Sequence, residues 1–70
     1  MPLKFTKHAL RRMTVRGISE EEILIAIETP EKTFKKNEKQ ISTRTLAQGC
    51  LEVVFEKKDN DLMVITAYWV

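Results

Sequence analysis

The spacing of the apolar residues changes once along this 70-residue chain, and the change limits the folds that the chain can adopt. Before residue 30 the apolar residues recur at intervals of three and four, as they do on the buried face of a helix. From Thr33 onward they alternate with polar residues, as in strands that bury one face. The pattern therefore predicts two helices followed by a sheet, in a single domain spanning residues 1–70.

Local signals mark the ends of both predicted helices. Thr6 is a suitable N-cap for the first helix, and Gly17 can end that helix in a left-handed conformation. The second helix begins in the segment I-S-E-E-E-I, where Ser19 and Glu22 have the spacing of a capping box. Thr29 precedes a proline and avoids helical geometry, so the second helix is expected to end there.

Four strands are predicted after the second helix, at residues 32–36, 41–47, 51–56 and 62–69. The connections between them are short and polar, which favours antiparallel hairpins. The predicted fold is α+β, with two N-terminal helices packed on one face of a four-stranded antiparallel sheet in the order ααββββ. The residues expected in its core are Leu10, Met13, Ile23, Ile27, Val53, Phe55, Ile65 and Trp69.

Strand alternation assigns each side chain of the sheet to the helix side or to the open side. In the last strand we expect the helix side to hold Met63, Ile65, Ala67 and Trp69, and the open side to hold Val64, Thr66 and Tyr68. Arg44 is also expected on the open side, because burying an unpaired guanidinium is very costly. Such a face is suited to phosphate binding. The alternative is an ordinary solvated face on which Arg44 pairs with Glu52 or Glu56.

Charge is distributed unevenly along the chain, although the net charge is only +2. The segment before Glu20 contains no acidic residue and holds five cations, which are Lys4, Lys7, Arg11, Arg12 and Arg16. Glutamates dominate the segment that follows. The basic first helix could therefore meet an anionic partner, or it could pair with the acidic second helix.

His8 is the single histidine of the chain, and Arg12 lies four residues further on, on the same helix face. An imidazole exchanges protons near neutral pH, and an arginine can hold two phosphate oxygens at once. This pair could perform acid–base chemistry on a phosphodiester. The alternative for His8 is a surface position beside the apolar stripe. Arg16 could instead be a cation that complements the end of the helix dipole.

The remaining composition excludes several classes of protein. The N-terminus has no apolar signal region and the apolar runs are of strand length, so we expect neither secretion nor membrane spanning. Cys50 is the single cysteine, which leaves no disulfide and no Cys/His metal spacing. We therefore expect a cytoplasmic protein with no metal and no cofactor.

Three segments of the chain carry a family resemblance. H-A-L-R-R-M-T-V-R-G-I-S-E-E-E-I, E-T-P-E-K and V-I-T-A-Y resemble the domain-of-unknown-function 4258 family of small bacterial and archaeal proteins. That family is similar to RelE-like endoribonuclease toxins, in a wider group with barnase-like and colicin nucleases. The resemblance implies a metal-independent RNase fold. It places the family's helix histidine on His8, the arginine that follows on Arg12, its sheet arginine on Arg44, and its Thr-x-Tyr on Thr66 and Tyr68.

The function predicted from these features is a metal-independent endoribonuclease of toxin type, with RNA as substrate and a cognate antitoxin as partner. His8 would act as acid or base, Arg12 and Arg44 would hold the phosphate, and Tyr68 would carry the second proton or stack on a base. These groups must then lie within the reach of one nucleotide. The residues expected to bind RNA outside the reacting centre are Lys4, Lys7, Arg11, Arg16 and Thr66.

Two alternatives without catalysis remain open. A binding module would hold RNA or a protein without cleaving it, using the basic patch or a free sheet edge such as strand 41–47. A self-associating domain would form a homodimer through the C-terminal strand and Trp69. That domain needs an exposed apolar patch larger than a monomer usually shows.

Overall fold

The computed structural model describes residues 2–70, which form two helices and five strands. Along the chain these elements are β1 (Leu3–Phe5), α1 (Lys7–Arg16), α2 (Glu20–Glu28), β2 (Lys32–Lys36), β3 (Lys39–Leu46), β4 (Gly49–Lys58) and β5 (Asp61–Trp69). Neither helix in this part of the chain has the length and apolar character needed to cross a membrane. The α+β class and the order of the two helices and last four strands agree with the sequence pattern.

The sheet is mixed and has the strand order β1-β5-β4-β3-β2. Strands β2 to β5 form the predicted antiparallel meander, but β1 adds a fifth strand that runs parallel to β5. The prediction of a four-stranded, wholly antiparallel sheet is therefore wrong. Three residues are too few to display a period of two, and the partner of β1 lies at the other end of the sequence. The edges of the sheet are β1 and β2, so the strand at 41–47 is interior and offers no free edge.

Both helices pack on the same side of the sheet, over one apolar core. Alternate residues of β4 (Leu51, Val53 and Phe55) are buried on this side, whereas Glu52 and Val54 between them are only partly buried on the other. Helix α1 lies against β5 and β1, and helix α2 lies against β3 and β4. The buried residues of the core are Ala9, Met13, Ile18, Ile23, Ala26, Leu51, Val53, Phe55, Val64 and Ala67. We refer below to the helix side and the open face of the sheet.

The helix ends follow the sequence signals closely. The Thr6 side chain accepts a hydrogen bond from the amide of Ala9 at 3.0 Å, and Gly17 ends α1 at φ 65°. Ser19 and Glu22 form the predicted capping box at the start of α2. Helix α2 then ends at Thr29, immediately before the proline. These features are local, so the sequence determines them without reference to the rest of the fold.

An irregularity in the register of β4 and β5 changes which side chains of β5 are buried. Val54 pairs with Thr66, but Phe55 pairs with Val64, so Ile65 is an extra residue in β5. Beyond this bulge the assignment of faces is reversed. Val64 is therefore fully buried on the helix side, contrary to prediction, and Met63 lies on the open face opposite Glu56.

On the other side of the bulge, the predicted faces of β5 are confirmed. Ala67 is buried and Trp69 packs against the core, whereas Thr66 and Tyr68 lie on the open face. In α1 the prediction that Leu10 is buried is wrong, because 46% of its surface is exposed. Ala9 and Met13 face the sheet instead, and the small Ala9 side chain permits close packing there.

Candidate nucleic-acid interface

The start of α1 is fixed to β5, and this determines which side chains of the helix point outward. The backbone amide of Thr6 donates to the carbonyl oxygen of Val64 at 3.1 Å, and its hydroxyl donates to the carbonyl oxygen of Ile65 at 3.2 Å. Ala9 and Met13 then bury the side of the helix that faces the sheet. Lys7, His8 and Arg11 are consequently directed away from the core.

The outward surface of α1 forms a basic face, which we define as Lys7, His8, Arg11 and Arg12. The first three residues are exposed and Arg12 is half-buried. Lys7 with Arg11 and His8 with Arg12 form two neighbouring rows, with about 6 Å between the members of each. The first turn of α1 contains no acidic residue, so the positive end of the helix dipole adds to this field.

In the described part of the chain, no carboxylate forms an ion pair with the basic face. Among residues 2–70 the one ion pair joins Lys4 and Asp61, at 3.3 Å. Glu22, at the start of α2, caps its own helix through Ser19. Pairing between a basic first helix and an acidic second helix, which the sequence left open, is therefore not found in this part of the chain.

Arg16 has a structural environment that differs from that of the basic face. Its guanidinium donates from Nη1 to the carbonyl oxygen of Ala67 at 2.7 Å. It lies in the last turn of α1, where a cation complements the negative end of the helix dipole. Arg16 is thus engaged with β5, and its predicted contact with RNA is untested.

Arg44 lies on the helix side, so its predicted position on the open face is wrong. It is opposite Leu51, which is fully buried on that side. Its Nη1 donates to the carbonyl oxygen of Thr29 at 2.9 Å, at the C-terminal end of α2. That end has no basic residue of its own and presents unpaired carbonyl groups. The hydrogen bond and the helix dipole make the inward position of Arg44 favourable, although its Nε finds no partner among residues 2–70.

Tyr68 lies on the open face and donates a short hydrogen bond to a carboxylate oxygen of Glu52 on β4. This hydrogen bond, then burial, then the charge of Glu52 raise the pKa of the phenol above its usual value of 10.0. The sequence suggests Glu52 as a partner for Arg44, but it does not predict the hydrogen bond between Glu52 and Tyr68. This hydrogen bond follows from the register of the two strands, which places Glu52 of β4 opposite Tyr68 of β5.

Apart from Arg16, which bonds to β5, the predicted site residues fall into three groups. The basic face and Tyr68 lie on opposite sides of the sheet, since α1 covers the helix side and Tyr68 points to the open face. Arg44 is on the helix side but bonded to α2. Lys4 and Thr66 lie on the open face with Tyr68, as their registers with Met63 and Val54 require. The structure does not assemble His8, Arg44 and Tyr68 around one nucleotide.

Among residues 2–70, no three histidine, cysteine or acidic side chains lie close enough together to hold a metal ion. The basic face offers a ligand three cations and one imidazole. It is an open, convex helix surface. Such a surface can bind an extended anion along its length, and His8 is the one imidazole in it.

Comparison with known proteins gives one match. No curated protein and no solved structure matches the chain significantly. The model of one family matches residues 5–69, from β1 through β5. The chain therefore belongs to the family described as a domain of unknown function, DUF4258.

Proposed function

We propose that the protein binds RNA through the basic face of α1, formed by Lys7, His8, Arg11 and Arg12. The observation that carries the proposal is that the three cations of this face, of which Lys7 and Arg11 are exposed, have no ion-pair partner among residues 2–70. Cations that satisfy no carboxylate within their own chain are available to an external polyanion. Contacts with phosphate release counterions, and this release supplies most of the affinity of such surfaces.

The shape and chemistry of the basic face favour a nucleic acid over a small anion. Two rows of cations along an exposed helix can follow a chain of phosphates, whereas a small anion would need an enclosed site. Arg11 and Arg12 can each make paired hydrogen bonds with phosphate oxygens. The resemblance to RelE-like RNases that the sequence motifs imply favours RNA over DNA. An RNA ligand and a single free thiol at Cys50 both agree with a cytoplasmic location.

Binding is better supported than cleavage. Metal-independent cleavage needs a base for the 2′-hydroxyl, an acid for the leaving oxygen and a charge clamp on phosphorus. His8 and Arg12 can provide one proton carrier and one clamp. Tyr68 and Arg44, which were expected to complete the set, are directed elsewhere. Of the two predicted proton carriers, His8 lies on the basic face and Tyr68 lies on the other side of the sheet.

The proposal is tested by the salt dependence of binding to a labelled single-stranded RNA, followed by fluorescence anisotropy. Each phosphate contact contributes about −0.7 to the slope of log K against log salt. Arg11→Met should weaken binding and flatten the slope by about one such contact. The matched control is Lys35→Met, which removes an exposed cation from β2 at the sheet edge remote from α1. Equal effects of the two variants, or binding that does not depend on salt, would contradict the proposal.

Cleavage is measured on the same RNA, with and without EDTA. Binding alone predicts intact RNA after incubation with the wild-type protein. Cleavage that survives EDTA, leaves 2′,3′-cyclic phosphate ends and falls about 10²–10⁴-fold in His8→Ala would establish the endoribonuclease instead. Cleavage of equal rate in both proteins would indicate a contaminating nuclease.

A further inference from the structure

The open face of the sheet carries an apolar row that no element of residues 2–70 covers. The cross-strand registers align Phe34, Ile41, Val54 and Thr66 across β2, β3, β4 and β5. Phe34 is 57% exposed, which is unusual for an aromatic side chain. Beside this row a depression of about 520 Å³ is lined by Ile41, Val54 and the turn between β2 and β3. Three apolar side chains on neighbouring strands, Phe34, Ile41 and Val54, form a surface of the kind that another sheet covers, and Thr66 ends the row on β5.

Two polar rows flank the apolar row, and charge is separated within each of them. One row begins at Lys32 on β2 and ends at the pair formed by Glu52 and Tyr68. The other row places Lys36 and Lys39 on the β2 side and Glu56 and Met63 on the β5 side. No ion pair forms within these rows among the described residues. Across β2 to β5, cations thus mark the β2 half of the open face and carboxylates mark β4, while Lys4 on β1 pairs with Asp61.

We propose that the open face binds a second copy of this chain, in a dimer of face-to-face sheets. A two-fold axis parallel to the strands, between β3 and β4, would lay β2 of one copy over β5 of the other and β3 over β4. Ile41 then meets Val54 of the other copy, and Lys39 meets Glu56. The pattern of the open face is complementary to itself under this operation, as an isologous interface requires.

A second copy fits this face better than RNA does. Glu52 and Glu56 lie on β4, near the middle of the face, where they would repel a polyphosphate. The same carboxylates are attracted to Lys32 and Lys39 of a second copy. The apolar row also gains little from a phosphate backbone but is buried by another sheet about 10 Å away. Dimerisation leaves both basic faces on the outside, so the inference does not depend on RNA binding.

The area of the open face determines how tightly the dimer is expected to bind. Four strands about 4.8 Å apart and about eight residues long give a face of about 500 Å². Two such faces bury about 1,000 Å² in total, at the lower end of specific interfaces. The dimer is therefore expected to be weak, with a dissociation constant of about 10–100 µM.

Sedimentation equilibrium over a range of protein concentrations tests the proposal directly. The wild-type mass should rise from that of a monomer to that of a dimer as the concentration passes through this range. Phe34→Ser should weaken the dimer at least about tenfold, because it removes an exposed aromatic anchor. Val15→Ser is the matched control, since Val15 is 71% exposed but lies on α1. This control should sediment as the wild type does.

A charge exchange tests the two-fold arrangement itself. Lys39→Glu alone and Glu56→Lys alone should each weaken the dimer, and the double exchange should restore it. Thermal melts at concentrations where all four proteins are monomeric show that each is folded. A wild type that remains monomeric to about 1 mM would overturn the proposal. Equal sedimentation of Phe34→Ser and Val15→Ser would also overturn the proposal. If Phe34→Ser instead lowers RNA affinity while Arg11→Met does not, the open face is the RNA surface, and both proposals are wrong.

Discussion

The indole Nε1 of Trp69 donates a hydrogen bond to the backbone carbonyl oxygen of Arg16, at 2.8 Å. The bond joins the end of β5 to the last turn of α1. The Arg16 guanidinium returns a bond to β5 at Ala67, so the helix end is held from two directions. A helix terminus leaves carbonyl groups without partners, and here the sheet satisfies one of them.

Replacement of Trp69 by phenylalanine should therefore lower stability by more than the change in size alone. Loss of the donor leaves the Arg16 carbonyl without its partner, at a cost of about 1–2 kcal/mol. Urea denaturation measures the difference. Val70→Ala, at an exposed neighbour, should remain within about 0.5 kcal/mol of the wild type. Equal midpoints for the wild type and Trp69→Phe would show that the bond contributes nothing.

Arg44→Met should reduce stability without changing RNA affinity. The guanidinium supplies a charged hydrogen bond to Thr29 at the end of α2, and its loss is expected to cost about 1–3 kcal/mol. Lys35→Met, on the exposed edge strand, serves as the control and should leave the denaturation midpoint unchanged. If Arg44→Met lowers RNA affinity but is as stable as the wild type, Arg44 contributes to RNA binding and this prediction is wrong.

Ser19→Ala should lower the free energy of unfolding by about 1 kcal/mol, because it removes the acceptor for the Glu22 amide. Ser19→Thr keeps an acceptor in the same place and should recover most of the loss. Denaturant midpoints of the three proteins decide the result. RNA affinity should be the same in all three, since the capping box lies outside the basic face.

The pKa of Tyr68 can be measured directly, because Tyr68 is the single tyrosine of the chain. Tyrosinate absorbance during an alkaline titration should give a midpoint above pH 10.0, and Glu52→Gln should lower that midpoint. Glu56→Gln, on the same face of β4, should leave it unchanged. A midpoint that Glu52→Gln does not move would show that the hydrogen bond is not formed in solution.

The same shift has a defined effect on stability. The folded protein binds the phenolic proton more tightly than the unfolded chain does, because the folded-state pKa of Tyr68 is the higher one. The stabilising contribution is therefore complete below pH 10.0 and is lost as the pH rises through the folded-state pKa. Glu52→Gln should reduce this loss.

Features that depend on neighbouring residues could be predicted from the sequence. The caps at Thr6 and Ser19 and the alternation along β4 follow from spacing within a few residues, and the structure has them as expected. Two of the failures in the fold depend on distant partners. Pairing of β1 requires β5, and the extra residue at Ile65 is visible only in the register with β4.

In the candidate site too, the sequence predicts the positions that depend on local structure and misses those that depend on distant elements. The outward position of Lys7 and Arg11 follows from the helical period of α1. The inward position of Arg44 does not follow from the sequence, because the cost of burying its guanidinium depends on the carbonyl group of Thr29, at the end of α2. The separation of His8 from Tyr68 likewise depends on which side of the sheet α1 covers. No local pattern contains that information.

The parallel pairing of β1 with β5 also determines the order in which the protein can fold. Thr6 bonds to Ile65, a contact between residues 59 positions apart, whereas the helices and hairpins form from near neighbours. Closing so long a loop costs entropy before any contact compensates for it, so this step should be late and slow. During synthesis, a nascent chain keeps Ala9 and Met13 uncovered until residues 62–69 have left the ribosome.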